Sequence, residues 1–89
     1  MKSLYDAFAQ IKTEKEFASF LKDLCTPGEI KDLQERWQVA QLLFEGKMSY
    51  RDIAESQKVS ITTVTRVARF LKDEPNKGYK KVLQRLHHA

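Results

Sequence analysis

The chain has 89 residues, of which 42% are hydrophobic and 31% are charged, with only 3 glycines and 2 prolines. This length predicts one domain over residues 1–89, and so few turn-forming residues disfavour a many-turned β-sandwich. The net charge of +4 is uneven, because residues 47–72 hold six basic and two acidic side chains whereas residues 1–46 hold six and eight. This asymmetry indicates a polyanion partner, although a solvated basic face gives the same count.

Several classes of protein are disfavoured by simple patterns. No apolar run approaches the ~18 residues of a membrane span, and Asp6 interrupts the apolar run that a signal peptide needs. We therefore expect a cytoplasmic protein with no membrane partner. The single cysteine, Cys25, excludes an intrachain disulfide and a cysteine-based zinc cage, and it is expected to be a small buried hydrophobe.

The N-terminal half shows helical spacing of apolar residues. Leu4, Phe8 and Ile11 predict a short helix within residues 3–12. A second helix is predicted from about Glu14 to near Cys25, and its expected inward residues are Phe17, Phe20 or Leu21, and Leu24.

The third helix has the clearest predicted boundaries. Thr26 is a suitable N-cap, Pro27 suits the first helical position, and Glu29 completes a capping box. Gly46 supplies the residue on which a helix ends, so the predicted span is about Pro27 to Glu45. Its apolar stripe consists of Ile30, Leu33, Trp37, Ala40 and Phe44, widened by Val39, Leu42 and Leu43.

Three further helices are predicted in the C-terminal half. Ser49 caps a helix that ends near Gln57, and Ser60 caps the helix ITTVTRVARFLK. The inward residues expected for that helix are Ile61, Val64, Ala68 and Leu71. Pro75 is expected at the start of a last helix in which Tyr79, Val82 and Leu86 share a face.

Residues 49–72 form the segment with the most specific pattern. Two short helices joined by a tight turn, with small Ala54 and apolar Val59, are typical of a helix-turn-helix. Threonines are poor residues for the middle of a helix, and threonine and arginine contact phosphates and base edges. Lys47 and Arg51 suit backbone phosphates. The predicted DNA contacts on the second helix are Thr62, Thr63, Thr65, Arg66 and Arg69; the alternative is an ordinary helix pair with a solvated face.

The motifs CTPGE, ERWQ, LLFEGKMSYRDIA and SITTVTR, within residues 25–72, resemble the Trp repressor family. The resemblance implies a six-helix intertwined homodimer, with dimerisation helices at about 3–45 and 75–87 and a DNA-reading helix-turn-helix. It also implies that the operator is palindromic, with half-sites ~34–36 Å apart. The residues that it brings to the operator are Arg51, Ile61, Thr62, Thr63 and Thr65.

The same family binds L-tryptophan as a corepressor, and the resemblance assigns Thr26, Arg36 and Arg66 to that pocket. Where the family has a glycine and a serine, this chain has the larger apolar residues Val67 and Phe70, and the Phe70 ring would fill the space of an indole. We therefore expect no cofactor, with tryptophan as the alternative. The two arginines then pair with acids such as Glu29 or Glu35, or contact phosphate.

The remaining side chains do not assemble into a reactive centre. His87 and His88 are adjacent and do not share a helix face, so no metal site is expected. No catalytic set is recognisable, so we predict a protein that is not an enzyme. The predicted function is that of a sequence-specific DNA-binding transcriptional regulator, with repression expected. The alternatives are a protein-interaction module using the same face, a tryptophan-dependent repressor, and a replication-initiation or architectural DNA binder.

Overall fold

The computed structural model describes residues 1–87, which form six α-helices and no strand. The helices are α1 (Leu4–Ala9), α2 (Glu14–Leu24), α3 (Pro27–Glu45), α4 (Tyr50–Gln57), α5 (Ile61–Lys72) and α6 (Gly78–His87). The all-α prediction is confirmed, and the bounds of α3, α4 and α5 are those predicted. Within residues 1–87 no helix has the length and apolar character needed to cross a membrane. His88 lies outside the described residues.

The chain divides into two compact units, residues 1–32 and residues 33–89, and the division falls within α3. In the first unit, each helix begins at a hydroxyl cap. The Ser3 Oγ accepts from the Asp6 N–H at 3.0 Å, and the Thr13 Oγ1 accepts from the Glu16 N–H at 3.1 Å. Helix α1 is shorter than predicted, because the N–H of Gln10 bonds to the carbonyls of the last turn and the helix ends at Ala9.

The first unit has an aromatic cluster but no buried residue. The Phe8 ring lies 5.6 Å from the Phe17 ring and 5.8 Å from the Phe20 ring, between centroids. Phe17 and Leu24 were predicted to point inward, yet both are exposed, and Cys25 is half-buried rather than buried. Two short helices cannot enclose a core, so their apolar faces remain open in a single chain.

The second unit has a true core, and α5 is its central element. Helix α5 packs against both α4 and α6 and contributes four of the nine side chains that are buried within residues 33–87. The buried residues are Val39, Ala40, Leu43, Ile53, Val64, Val67, Ala68, Leu71 and Leu83. At the rim, Trp37 stacks on Tyr79 with 6.4 Å between ring centroids. Burial of this α5 stripe fixes which face of the helix remains exposed.

The prediction that Ile61 points into the core is wrong, because Ile61 is 50% exposed. The buried stripe of α5 consists of Val64, Val67, Ala68 and Leu71. Ile61 is the first residue of the helix and lies one turn before Val64 and Thr65, beyond the edge of the stripe.

Of the three residues predicted to share the apolar face of α6, Tyr79 packs against the core, but Val82 and Leu86 do not. The helix begins at Gly78, three residues after Pro75, and it buries Leu83, whereas Val82 and Leu86 are exposed. Leu83 follows Tyr79 by four residues and Leu86 follows Val82 by four, so the helical period allows either face to be apolar. Packing against α5 selects the Leu83 face.

Three residues at the turns of the second unit have a left-handed backbone conformation. Gly46 ends α3 with φ of 72°, as predicted, and Lys58 ends α4 with φ of 57° and ψ of 43°. Lys77, with φ of 59°, precedes α6. A lysine is less favourable than a glycine in the left-handed conformation. Lys58 nevertheless adopts this conformation at the turn between α4 and α5.

Candidate DNA-binding surface

Helices α4 and α5 are joined by a short turn. Hydrogen bonds define the start of α4, the turn itself and the start of α5. The Ser49 Oγ accepts from the Asp52 N–H at 3.0 Å, which starts α4. After Lys58, the Val59 N–H donates to the Ala54 carbonyl at 3.0 Å. The Ser60 Oγ then accepts from the Thr63 N–H at 3.1 Å and starts α5. The three-residue turn and the packing of both helices are those of the predicted helix-turn-helix.

The buried stripe of α5 leaves a polar outer face. A rotation of ~100° per residue places four exposed side chains opposite the stripe. These are Thr62, Thr65, Arg66 and Arg69. Thr63 is half-buried at the edge of this face, and Ile61 is exposed at the start of the helix. The structure thus brings the predicted DNA-contacting residues of α5 onto one surface.

The two arginines of this face flank the same aromatic ring. The guanidinium carbon of Arg66 lies 5.7 Å from the Phe70 ring centroid, and that of Arg69 lies 5.0 Å from it. Both distances are within the range of cation–π attraction. The Arg69 Nε also lies 3.3 Å from the Glu74 Oε1, in an exposed ion pair. Arg66 forms no ion pair within residues 1–87, so its charge is available to an anion.

The start of α4 adds further positive charge. Lys47 and Arg51 are both exposed, as phosphate contacts require. Next to Arg51, the Tyr50 hydroxyl accepts a hydrogen bond from the Lys72 Nζ at 3.3 Å. This bond joins the first turn of α4 to the last turn of α5, so it holds the two basic ends together. With six basic and two acidic side chains in residues 47–72, the surface favours a polyanion.

The contacts of Phe70, Tyr50, Lys72 and Glu74 were not predicted from the sequence. The spacing of Arg66 and Phe70, four residues apart in one helix, is a signal that was available. Tyr50 and Lys72 are 22 residues apart and are brought together only by the packing of α4 on α5. No local pattern points to that pair.

The residues assigned to a tryptophan pocket are divided between the two units. Thr26 belongs to the first unit, where its N–H donates to the Glu29 Oε1 at 2.8 Å and its Oγ1 accepts from the Glu29 N–H at 3.1 Å. This confirms the predicted capping box, and it engages the Glu29 carboxylate. Arg36 is half-buried in α3, and Arg66 is exposed on α5. Val67 is buried in the core at 2% exposure.

Comparison with known proteins identifies the family. The sequence matches the Trp repressor protein family over residues 1–87. A TrpR-like protein from Eubacterium eligens has a crystal structure that superposes with a TM-score of 0.86 and 39% identity, covering 94% of this chain and 84% of that one. This similarity confirms the predicted six-helix fold.

Two sequence relatives agree with this result. The Bacillus subtilis protein YerC is 35% identical over 83 residues, which are 93% of this chain and 78% of YerC. A Trp operon repressor homolog from Chlamydia trachomatis serovar L2 is 33% identical over 85 residues, 91% of this chain and 89% of that protein. The chain therefore belongs to the Trp repressor family, as a DNA-binding regulatory protein and not an enzyme.

Proposed function

We propose that the protein is a sequence-specific transcriptional repressor that binds a palindromic operator as a homodimer. The observation that carries this proposal is the outer face of α5, where Thr62, Thr65, Arg66 and Arg69 lie exposed opposite the buried stripe. Threonine and arginine side chains form hydrogen bonds with base edges in the major groove and with backbone phosphates. Lys47 and Arg51 at the start of α4 bind the flanking phosphates. We also propose a cytoplasmic location, because that is where a repressor meets its operator DNA.

Homodimerisation is supported by the apolar surface that a single chain leaves open. No residue of the first unit is buried, and α6 exposes apolar side chains as well. The exposed large apolar residues of these helices are Leu4, Tyr5, Phe8, Phe17, Leu24, Val82 and Leu86. Monomeric proteins seldom expose so much apolar surface, and a second copy of the chain would cover it. Sedimentation should therefore give twice the chain mass of 10.4 kDa.

A dimer carries two DNA-reading heads related by twofold symmetry. Such heads enter successive major grooves one helical turn apart, ~34–36 Å, so the operator is a pseudo-palindrome. The experiment that tests the proposal is selection from a random duplex library, with sequencing of the retained duplexes. We expect an enriched palindrome. Absence of enrichment would contradict the proposal and favour a protein partner for the same face.

We further propose that DNA binding does not require tryptophan. The Phe70 ring already provides an aromatic contact to Arg66, at 5.7 Å, which an indole would otherwise provide. The adjacent Val67 fills the core and leaves less room than a glycine would. The selection should give the same palindrome with and without L-tryptophan, and calorimetry should detect no saturable tryptophan binding. Enrichment only in the presence of tryptophan would contradict this part of the proposal.

A further inference from the structure

We propose that the residues of α5 recognise DNA bases through two kinds of contact, hydrogen bonds and apolar contacts, and that different residues make each kind. The Thr62 hydroxyl hydrogen-bonds to a base edge, whereas Ile61 and Thr65 contact thymine methyl groups. The inference rests on the proposed DNA-binding function and assigns roles that the family resemblance does not distinguish. It follows from the hydrogen bonds of the three threonine hydroxyls of α5, two of which are engaged within residues 1–87 while one is not.

Two of the three threonine hydroxyls of α5 are engaged inside the protein. The Thr63 Oγ1 lies 3.0 Å from the Ser60 Oγ, within the cap of the helix. The Thr65 Oγ1 donates to the Ile61 carbonyl at 3.0 Å, one turn back along the helix. The Thr65 hydroxyl has to give up its bond to the Ile61 carbonyl before it can donate to a base, which removes most of the net gain. Thr63 is half-buried, and its hydroxyl is held beside Ser60 in the cap.

The Thr62 hydroxyl is different. Thr62 is exposed in the first turn of α5, and its hydroxyl has no hydrogen-bond partner within residues 1–87. A hydroxyl is both donor and acceptor, so it matches any base edge in the major groove that offers one polar atom. Thr62 therefore exchanges hydrogen bonds with water for one with DNA and gives up no bond within the protein.

Ile61 supplies the second kind of contact. It is the first residue of α5 and half of its surface is exposed, beside the polar residue Thr62. Thr65 follows Ile61 by four residues on the same edge of the helix. Because its hydroxyl proton is engaged, Thr65 offers an outside partner its methyl group and its oxygen lone pairs, but no free donor for an acceptor such as thymine O4. In the major groove the apolar group of a base is the 5-methyl of thymine. The half-site thus contains at least one T·A pair beneath this edge.

Thr62→Val and Thr65→Val test the division of hydroxyl roles, because both replace a hydroxyl by a methyl of similar shape. The probe is the duplex selected from the random library, and a shuffled duplex of the same composition is the control. Because a dimer carries two copies of Thr62, we expect Thr62→Val to weaken binding to the selected duplex roughly five- to hundredfold and to leave the shuffled duplex unaffected. Thr65→Val should change affinity by less than about twofold. Equal losses for the two variants would overturn the assignment.

Uracil substitution tests the methyl contact, since deoxyuridine differs from thymidine only in the 5-methyl group. Replacing the half-site thymines one at a time should weaken wild-type binding roughly two- to fourfold at one or more positions. In the Ile61→Ala variant the response should be lost at the thymine beneath Ile61, whereas a thymine beneath Thr65 should still respond. If no thymine responds, or if Ile61→Ala responds as the wild type does at every thymine, the methyl contact of Ile61 is overturned.

These results separate the inference from the function on which it rests. If the library yields no duplex at all, the DNA-binding proposal fails and the division of roles fails with it. If a palindrome is selected but neither the valine substitutions nor the uracil substitutions change the affinity, only the division of roles fails. Circular dichroism melting of each variant checks that its fold is retained, as expected for exposed positions.

Discussion

The substitution Gly46→Ala tests the left-handed residue that ends α3 and leads the chain toward α4. Gly46 has φ of 72°, and its N–H donates to the Leu42 carbonyl at 3.3 Å. A Cβ added at this position would meet no atom within 4 Å. Steric contact with neighbouring residues therefore contributes nothing, and the whole cost comes from placing an alanine in the left-handed region. That cost is roughly 1–2 kcal/mol.

Gly78→Ala is the matched control. A Cβ at Gly78 also meets nothing within 4 Å, but Gly78 is the first residue of α6 and does not have a positive φ. An alanine there keeps the native backbone and restricts the unfolded chain, so it should stabilise the protein by about 0.4–1 kcal/mol. The same chemical change should therefore have opposite signs at the two glycines.

Thermal unfolding followed by circular dichroism measures both effects. Protein concentrations must be equal, because the midpoint of a dimer depends on concentration. A loss of 1 kcal/mol lowers Tm by ~4–8 °C in a domain of this size. A Gly46→Ala variant as stable as the wild type, or a Gly78→Ala variant destabilised to the same extent as Gly46→Ala, would show that the left-handed φ of Gly46 does not determine the cost.

Two further substitutions test the core of the second unit and the basic face of α5. Ile53 of α4 is fully buried in the core of the second unit, so Ile53→Ala should lower the free energy of unfolding by about 2–5 kcal/mol, measured by urea titration. An unchanged midpoint would show that this side chain is not packed in the core. Glu74→Gln removes the exposed ion pair with Arg69, which should change stability by less than about 1 kcal/mol. It should also strengthen binding to the selected duplex at low salt, because Arg69 is freed for phosphate. Weaker binding in fluorescence anisotropy would contradict that role of Glu74.

The helices whose ends were predicted are those that begin with a local signal. Thr26, Ser49 and Ser60 each accept a bond from the N–H three residues later, so a few consecutive residues determine where α3, α4 and α5 begin. Gly46 and Lys58 end their helices in the left-handed conformation, and only the glycine makes that end readable in the sequence.

The buried face of a helix is harder to predict than its ends. In α6 both Leu83 and Val82 belong to an apolar row, and packing against α5 decides which row is covered. Ile61 was assigned to the core because its spacing from Val64 and Ala68 fits a helix, yet it is exposed. Periodicity shows which apolar residues share a face of a helix, but it does not show what packs against that face.

The DNA-binding residues could be predicted as a set because they lie in one helix and share its outer face. The contacts that hold them were not predicted, since they depend on tertiary structure. The bond between Tyr50 and Lys72 requires α4 and α5 to be packed, and the ion pair of Arg69 requires the chain to turn at Glu74.

The salt dependence of DNA binding tests most directly the claim that a dimer docks its α4 and α5 helices on the duplex. Arg51→Gln removes one proposed phosphate contact from each chain, and Lys15→Gln removes the same charge from an exposed position on α2. Each phosphate contact contributes about 0.9 to the slope of log affinity against log salt, so Arg51→Gln should reduce the slope by about 1.8 in a dimer. Lys15→Gln should leave the slope unchanged. An unchanged slope for Arg51→Gln, or equal reductions for both variants, would contradict the account.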